Sequence, residues 1–271
     1  MPDISTLLRY WWKHITGVVL LSLLVVGVIT FLKPRQYLSV ATAVPGSSYA
    51  ADKGKIFNEN IQGLYTALGT PDDLDKIIGT AQLDTAYLAV CSEFNLYDHY
   101  KIKEQGDPAL RKAAALLKEN TSVIKSEYGE LKVKVWDTDK NLAPQLANAI
   151  LTKLDAIHRD LQNVSNENSV KALEKSLAGI YQKADSAEAN NKTTLLAEAS
   201  AYEKLLSEYR VMINAKPQVL IMVEKAKPAD SPDRPRRLQI LIATGVLSLL
   251  FALLAAFILD RGRNRHDNAA A

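Results

Sequence analysis

Hydrophobic residues concentrate near the two ends of this 271-residue chain, with a mixture of apolar and charged residues between them. The apolar stretches cover residues 15–32 and 238–259. A helix needs roughly 20 apolar residues to cross the hydrocarbon core of a bilayer. The second stretch meets this length, and the first is slightly short but follows Trp11 and Trp12, which suit a membrane interface. We therefore predict two transmembrane helices, with both chain ends on the same side of the membrane.

A secretory signal peptide is the alternative interpretation of the first stretch, because Lys13 and His14 precede it and an alanine-containing segment follows. The apolar run is long for a signal peptide. It also ends at Lys33–Pro34–Arg35 without an A-x-A-like cleavage site. Anchoring at both ends is the interpretation that the sequence favours.

Basic residues flank both ends of both stretches. Counting them gives nearly the same number on each side of the membrane, so the count alone does not decide which side is cytoplasmic. The basic residues are Arg9, Lys13, Arg261, Arg263 and Arg265 on the outer sides, and Lys33, Arg35, Arg236 and Arg237 on the inner sides. The positive-inside rule applies to short loops, and a much longer central region can be translocated whatever its charge. We expect residues 1–14 and 260–271 in the cytoplasm and residues 33–237 on the other side.

Alternation and helical spacing in the first part of the central region predict a mixture of strands and helices. The predicted strands are 36–44, stopped by Pro45–Gly46, then 121–127 and 130–136, joined by a turn at Tyr128–Gly129. The predicted helices are 55–68, 71–78 with Thr70 as its cap, about 80–94, and 107–118. In strand 130–136, Leu131, Val133 and Val135 are expected to share one face.

A long apolar stripe then predicts a helical arm at about 139–215. Its first members are Leu142, Leu146, Ile150, Leu154, Ile157, Leu161 and Val164, and the polar run 165–169 weakens it. Segments 169–189 and 192–214 predict an antiparallel hairpin with its turn at Asn190–Asn191. A final strand at 218–225 is apolar at successive positions, which predicts burial of both faces. The predicted fold class is α+β: a mixed sheet near the membrane and a long helical hairpin arm, anchored by two transmembrane helices.

The net charge and the cysteine content exclude some kinds of partner and of covalent cross-link. The net charge is +3 and basic residues are scattered among acidic ones, which argues against a nucleic-acid partner. The single cysteine, Cys91, has no internal disulfide partner and is interpreted as a small buried hydrophobic residue.

Candidate reactive or metal-binding groups do not form a recognisable pattern. The four histidines lack metal-ligand spacing, and His158, beside Asp155 and Asp160, is expected on a solvated helix face. The run 137–141 opens like a calcium loop but lacks its glycine and closing glutamate, so it is interpreted as a strand end and helix cap. We predict a protein that is not an enzyme and has no cofactor, catalytic residue or metal site.

The proline segment, residues 226–237, leads into the second apolar stretch and carries Pro228, Pro232 and Pro235. Prolines lack the amide donor and favour a stiff extended chain, although each one alone can also simply end a strand. Gly245 follows inside the stretch. Thr244, Ser248, Ala252 and Ala256 recur at every fourth position beside it and form, with it, the small-residue face. Small residues let membrane helices approach closely, here either the first span or a neighbouring copy.

This proline segment with its downstream glycine resembles that of the Wzz-type chain-length determinants, or polysaccharide co-polymerases. The gap from Pro228 to Pro232 is one residue longer than in the usual triplet of that family. Residues 4–13 and 137–148 are also similar to family segments. The chain has no G-x-x-x-x-G-K-[ST] phosphate loop, so it resembles the kinase-free branch.

The resemblance implies a regulator of surface polysaccharide chain length, for O-antigen or exopolysaccharide, in a bacterial inner membrane. It implies cytoplasmic termini and a periplasmic central domain. The implied partners are identical copies in a ring-like homo-oligomer, the polysaccharide polymerase of the same membrane, nascent polysaccharide and membrane lipid.

A two-span sensor or adaptor that couples a periplasmic ligand to a separate cytoplasmic, tyrosine kinase-like partner is the alternative function. The basic stub 261–271 is the only sequence after the second stretch, which weighs against it. A periplasmic export adaptor would need strand-rich lipoyl-like segments, which the pattern does not indicate.

Overall fold

The computed structural model describes residues 4–46 and 73–269, with side chains described for residues 10–46 and 73–260. The predicted helix 55–68 and its neighbour's cap Thr70 lie outside the described residues. The chain divides into two compact units. The first combines Met1–Tyr37 with Asp230–Ala271, and the second is Leu38–Ala229.

The first unit contains two long apolar helices, α1 (Ile4–Leu32) and the last helix of the chain, α8 (Arg237–Ala269). Their segments Tyr10–Leu32 and Arg237–Asp260 have mean hydropathies of 2.7 and 2.6 and are long enough to cross a membrane. Most of their large apolar side chains are exposed, which suits contact with lipid rather than a protein core. The pair of helices therefore fits a membrane protein.

The second unit combines a sheet with helices, and the predicted α+β class is confirmed. Its elements in chain order are β1 (Tyr37–Pro45, whose first residue belongs to the first unit), α2 (Asp73–Ala81), α3 (Thr85–Glu93), α4 (Leu96–His99), α5 (Asp107–Glu119), β2 (Thr121–Lys125), β3 (Leu131–Asp137), α6 (Leu142–Asp185), α7 (Ala189–Ala215) and β4 (Leu220–Glu224). The short helix α4 was not foreseen. The expected helix 80–94 is interrupted, because α2 continues to Ala81 and α3 begins at Thr85.

The four strands lie in the order β2-β3-β1-β4. The pairs β1–β4 and β2–β3 are both antiparallel. A mixed sheet would require β3 and β1 to be parallel, and this part of the expectation stays a prediction. Gly46 ends β1 as expected, and its N–H donates to Val219 O at 2.8 Å. A Cβ on Gly46 would lie 2.4 Å from Gln218 O, so only glycine lets β4 begin this close to the end of β1.

One core fills the second unit between the sheet and its helices. The alternation predicted for β3 is confirmed, because Leu131, Val133 and Val135 are fully buried while Lys132 and Lys134 are partly exposed. The other large, fully buried side chains come from several helices: Leu74, Ile77, Val90, Leu96, Leu117, Leu146, Ile150, Leu151 and Leu154. The first three turns of α6 therefore belong to the core.

The helical arm, α6 and α7, is confirmed but differs in detail from the prediction. The polar run 165–169 does not interrupt α6, which is one helix of 44 residues and about 66 Å long. The predicted turn at Asn190–Asn191 is wrong by a few residues, because α7 already begins at Ala189. The prediction that β4 buries both faces is also wrong, since Val223 is 55% exposed.

Asp155 of α6 holds the start of β4. Its Oδ1 accepts hydrogen bonds from the backbone N–H groups of Val219 and Leu220, both at 2.9 Å. Arg159 lies one turn further, with its Nη1 3.8 Å from Asp155 Oδ2. The carboxylate is buried, so the expectation of a solvated helix face around Asp155 is wrong. Two strand amides at the sheet edge thereby gain an acceptor.

His158 is half-buried and bonded to α2, so it too departs from the solvated position expected for it. Its Nε2 lies 2.9 Å from Thr80 Oγ1, and the Thr80 hydroxyl donates to Lys76 O at 3.1 Å. Because that hydroxyl proton is already used, the neutral imidazole donates its Nε2–H to Thr80. Burial lowers the pKa of His158, which the charge of Lys76 reinforces and Asp73 and Asp155 oppose.

Asp155→Ala should lower the free energy of unfolding by about 2–4 kcal/mol, because it leaves two buried amides without an acceptor. Hydrogen exchange of the full chain in detergent should show faster exchange at Val219 and Leu220. Asp160→Ala, an exposed acid on the same helix, is the matched control and should change stability by less than about 0.5 kcal/mol. Equal effects of the two substitutions would contradict the role given to Asp155.

Acidification should destabilise the second unit through His158. Because its pKa in the fold lies below the ordinary 6.5, the unfolded chain binds more protons, and the free energy of unfolding falls as the pH drops below about 6.5. His158→Gln should flatten this pH dependence below about pH 6.5. Thermal unfolding across that range measures the effect, with His266→Gln as the control. An unchanged slope in His158→Gln would refute the prediction.

Candidate functional site

The proline segment begins in residues that are fastened to the second unit. Ala226 N–H donates to Asn148 Oδ1 of α6 at 2.9 Å, and Asn148 Nδ2 reaches Ala226 O at 3.5 Å. Ser39 of β1 donates its hydroxyl to Lys227 O at 2.8 Å. The backbone immediately before Pro228 is therefore held by both the arm helix α6 and the strand β1.

The end of the proline segment is fastened within the first unit. Gln36 N–H donates to Arg234 O, and Asp233 N–H donates to Gln36 O, both at 2.9 Å. Arg237 N–H then donates to Pro235 O at 2.9 Å, where α8 begins. The backbone that leaves α1 is thus paired with the backbone that enters α8.

The three prolines do not form one site. The boundary between the units lies after Ala229, so Pro228 belongs to the second unit, while Pro232 and Pro235 belong to the first. Pro228 and Pro232 are exposed and Pro235 is partly buried. The arrangement is a short proline-rich connection with a hydrogen-bonded backbone at each end. Its functional role stays a prediction.

The small-residue face of α8 is the least exposed face of that helix. Ala252 and Ala256 are buried and cluster with Ile15 of α1. Thr244, Gly245 and Ser248 are partly buried. The face therefore packs on the first helix of the same chain, one of the two partners that the sequence left open.

Glycines on both helices permit this approach. A Cβ added to Gly245 would lie 3.8 Å from Leu23 Cδ2, and one added to Gly27 of α1 would lie 3.9 Å from Leu241 Cδ2. The hydroxyls on the face bond to their own helix, Thr244 Oγ1 to Ile240 O at 2.8 Å and Ser248 Oγ to Gly245 O at 3.1 Å. Contact with a neighbouring copy or a polymerase through these residues stays a prediction.

Sequence reasoning missed Asn148 and Asp155 as the residues that connect the arm to β4 and to the proline segment. They lie seven residues apart, so both project from one side of α6, beside the apolar stripe. Polar residues at that spacing were the available signal. Their role needed the position of β4, which is 64 or more residues away along the chain.

A polar cluster around Asp137 supports the fold where β3 leads into α6. The Asp137 carboxylate is buried, with Oδ1 2.9 Å from His99 Nε2 and accepting from Asp139 N–H at 2.8 Å. Tyr100 donates to Asp137 Oδ2 at 3.4 Å. Burial, followed by the negative charge of Asp137, raises the pKa of Tyr100. Asp137 thus ends a strand, as expected from the sequence. The helix cap expected from the run 137–141 is not formed, because Asn141, the N-cap residue of α6, makes no side-chain capping hydrogen bond.

Reactive and metal-binding groups are scarce in the part of the chain that the structure describes. Cys91 is buried, and burial raises the pKa of its thiol to about 12, which leaves it protonated at neutral pH. Among the described residues, no group of three or more His, Cys, Asp or Glu side chains is placed to hold a metal ion.

Ala256→Leu should weaken the pairing of α1 with α8 by about 1–3 kcal/mol, because the added side chain would overpack a buried position against Ile15. Thermal unfolding of the detergent-solubilised chain measures the loss. Gly245→Ala should be tolerated, since its Cβ would make an ordinary contact with Leu23. Leu254→Phe, at a 63% exposed position of the same helix, is the control. A loss of the same size in Leu254→Phe would refute the packing argument.

Comparison with solved structures found chains that are similar to this one. No protein-family model matches the chain, and no curated protein matches it. A solved structure described as a "full-length bacterial polysaccharide co-polymerase" is similar over 99% of this chain and 99% of its own chain. The sequence identity is 14% and the TM-score is 0.40. This likeness is too distant to assign a function, so the function of this chain has to be argued from its own residues.

Proposed function

We propose that this protein is a non-enzymatic inner-membrane regulator of surface polysaccharide chain length. In this proposal both termini are cytoplasmic and the α+β unit is periplasmic. Identical copies assemble as a ring-like oligomer that acts on the polysaccharide polymerase of the same membrane. The observation that carries the proposal is the proline segment, fastened to the arm helix at its start and to the paired membrane helices at its end.

A regulator without enzymatic activity has to act by passing a conformational change from one part of the protein to another. Asn148 connects the arm helix α6 directly to Ala226, two residues before Pro228. Pro232 and Pro235 then precede α8, and prolines restrict the backbone to extended conformations. A change in the packing of α6 therefore reaches the entry of α8 through a stiff segment. This supports a protein that couples the state of its external domain to its membrane helices.

The arm supports self-association. A two-helix hairpin cannot bury apolar side chains on all sides, and six on the arm remain exposed: Leu161, Val164, Tyr181, Leu196, Leu205 and Val211. Glu208 is buried, and its Oε2 has no hydrogen-bond partner among the described residues. A buried carboxylate oxygen without a donor is costly, so Glu208 lowers the stability of the hairpin.

Deleting the gene should change the length ladder of surface polysaccharide, resolved on a gel, from a defined modal length to a broad or short distribution. An unchanged ladder would overturn the proposal and favour the sensor or adaptor alternative. Restoring the gene in trans should restore the modal length.

Pro232→Ala with Pro235→Ala should shift the modal length while the protein remains folded, because both substitutions loosen the entry into α8. Pro108→Ala, in the first turn of α5, is the matched control and should leave the ladder unchanged. Membrane abundance and thermal unfolding check that the variants fold. An unaltered modal length in the folded double variant would refute the role of the stiff connection. It would not refute chain-length control itself, which the deletion experiment tests.

A further inference from the structure

An arginine-lined groove lies where α1 ends and α8 begins, within the first unit. Arg35, Arg234, Arg236 and Arg237 line it, together with Asp233 and the first turn of α8. Its volume is about 550 Å³, far more than the roughly 30 Å³ that one water molecule takes up in the liquid. The lining residues include four arginines and one aspartate, so their side chains carry a net charge of +3.

Several contacts hold the lining in place. Arg236 Nη2 lies 3.1 Å from Asp233 Oδ1, and the Arg237 guanidinium stacks 4.5 Å from the centre of the Phe31 ring. The bridge between Gln36 and Arg234 fixes the backbone on both sides. The first turn of α8 contains no acidic residue, so the positive end of a long helix dipole adds to the field of the arginines.

The groove lies where the two candidate membrane spans meet the central region of the chain. Leu32 is the last residue of one candidate span, and Arg237 is the first residue of the other. In a bilayer this is the boundary between hydrocarbon and headgroups, where lipid phosphates lie. Guanidinium groups match phosphate geometry and bind it through paired hydrogen bonds.

The location of these arginines on one side of the two spans requires a physical explanation. They flank the spans on the side of the long central region, which we expect to lie outside the cytoplasm because it is too long for the positive-inside rule to apply. On that side basic residues bring no advantage for membrane insertion. Binding of an anion at the membrane surface would explain why four arginines are grouped there.

We propose that this groove is a binding site for the phosphate headgroup of an anionic membrane lipid. Arg35 and Arg236 contribute guanidinium donors, and the first turn of α8 contributes its positive dipole. Arg237 also holds the groove to α1 through Phe31. The site does not depend on the proposed role in chain-length control.

The test uses the full chain in nanodiscs of phosphatidylcholine with increasing phosphatidylglycerol, and native mass spectrometry of the lipid retained after transfer to detergent. The wild-type chain should retain phosphatidylglycerol in preference to phosphatidylcholine. R35Q/R236Q should weaken that retention about 25-fold, since each arginine near an anionic surface contributes about fivefold. R35K/R236K, which keeps the charge, should retain more lipid than the glutamine variant.

R261Q/R263Q removes two arginines beyond the opposite end of the same span and is the matched control. It should leave phosphatidylglycerol retention unchanged. An equal loss in this control would mean that bulk charge, rather than the groove, retains the lipid, and would overturn the proposal. Equal retention of the two lipids by the wild-type chain would also overturn it. Displacement of the lipid by millimolar inorganic phosphate would assign the groove to free phosphate instead.

Discussion

The hydrogen bonds from α6 to the backbone around β4 are the constraint on which the second unit depends. Asp155 accepts the amides of Val219 and Leu220 where the strand starts, and Asn148 pairs with Ala226 just after it ends. An edge strand leaves unpaired amides, which are costly when water is excluded. By supplying acceptors from a helix that is already packed in the core, the fold fixes β4 and the chain that follows it.

The same bonds connect the arm to the sheet of the second unit. The first turns of α6 are buried among core residues such as Leu146, Ile150 and Leu154, so this part of the helix is rigid. Beyond them the helix continues into the arm, where the ion pair Arg210–Glu174 and the bond from Tyr181 to Glu203 tie it to α7. These exposed polar contacts add little stability, so the arm relies mainly on the apolar contacts between its two helices.

In the first unit, the close approach of α1 and α8 depends on small residues rather than on a hydrophobic driving force. Lipid tails are as apolar as leucine, so helices in a bilayer gain mainly from tight van der Waals packing. Gly27, Gly245, Ala252 and Ala256 provide the required space. Arg237 above Phe31 and the Gln36–Arg234 bridge then tie the helices at one end.

The sequence by itself determined the features that depend on local periodicity and on composition. Two apolar stretches predicted two membrane helices, alternation predicted β3 and the buried side of Leu131, Val133 and Val135, and helical spacing predicted the arm. The small-residue face was also visible, because a repeat of four residues marks one side of a helix. Tertiary structure decided the rest. It showed that α1 is a partner of that face, that Asp155 is buried and His158 half-buried, and that β4 lies at the sheet edge with Val223 exposed. It also showed that the polar run 165–169 does not break α6. Whether a polar residue on a helix is solvated or holds a strand depends on which segment packs against it, and for Asp155 and Asn148 that segment is 64 to 78 residues away along the chain. Periodicity describes the sides of one element, and only the packing of distant elements decides what each side meets.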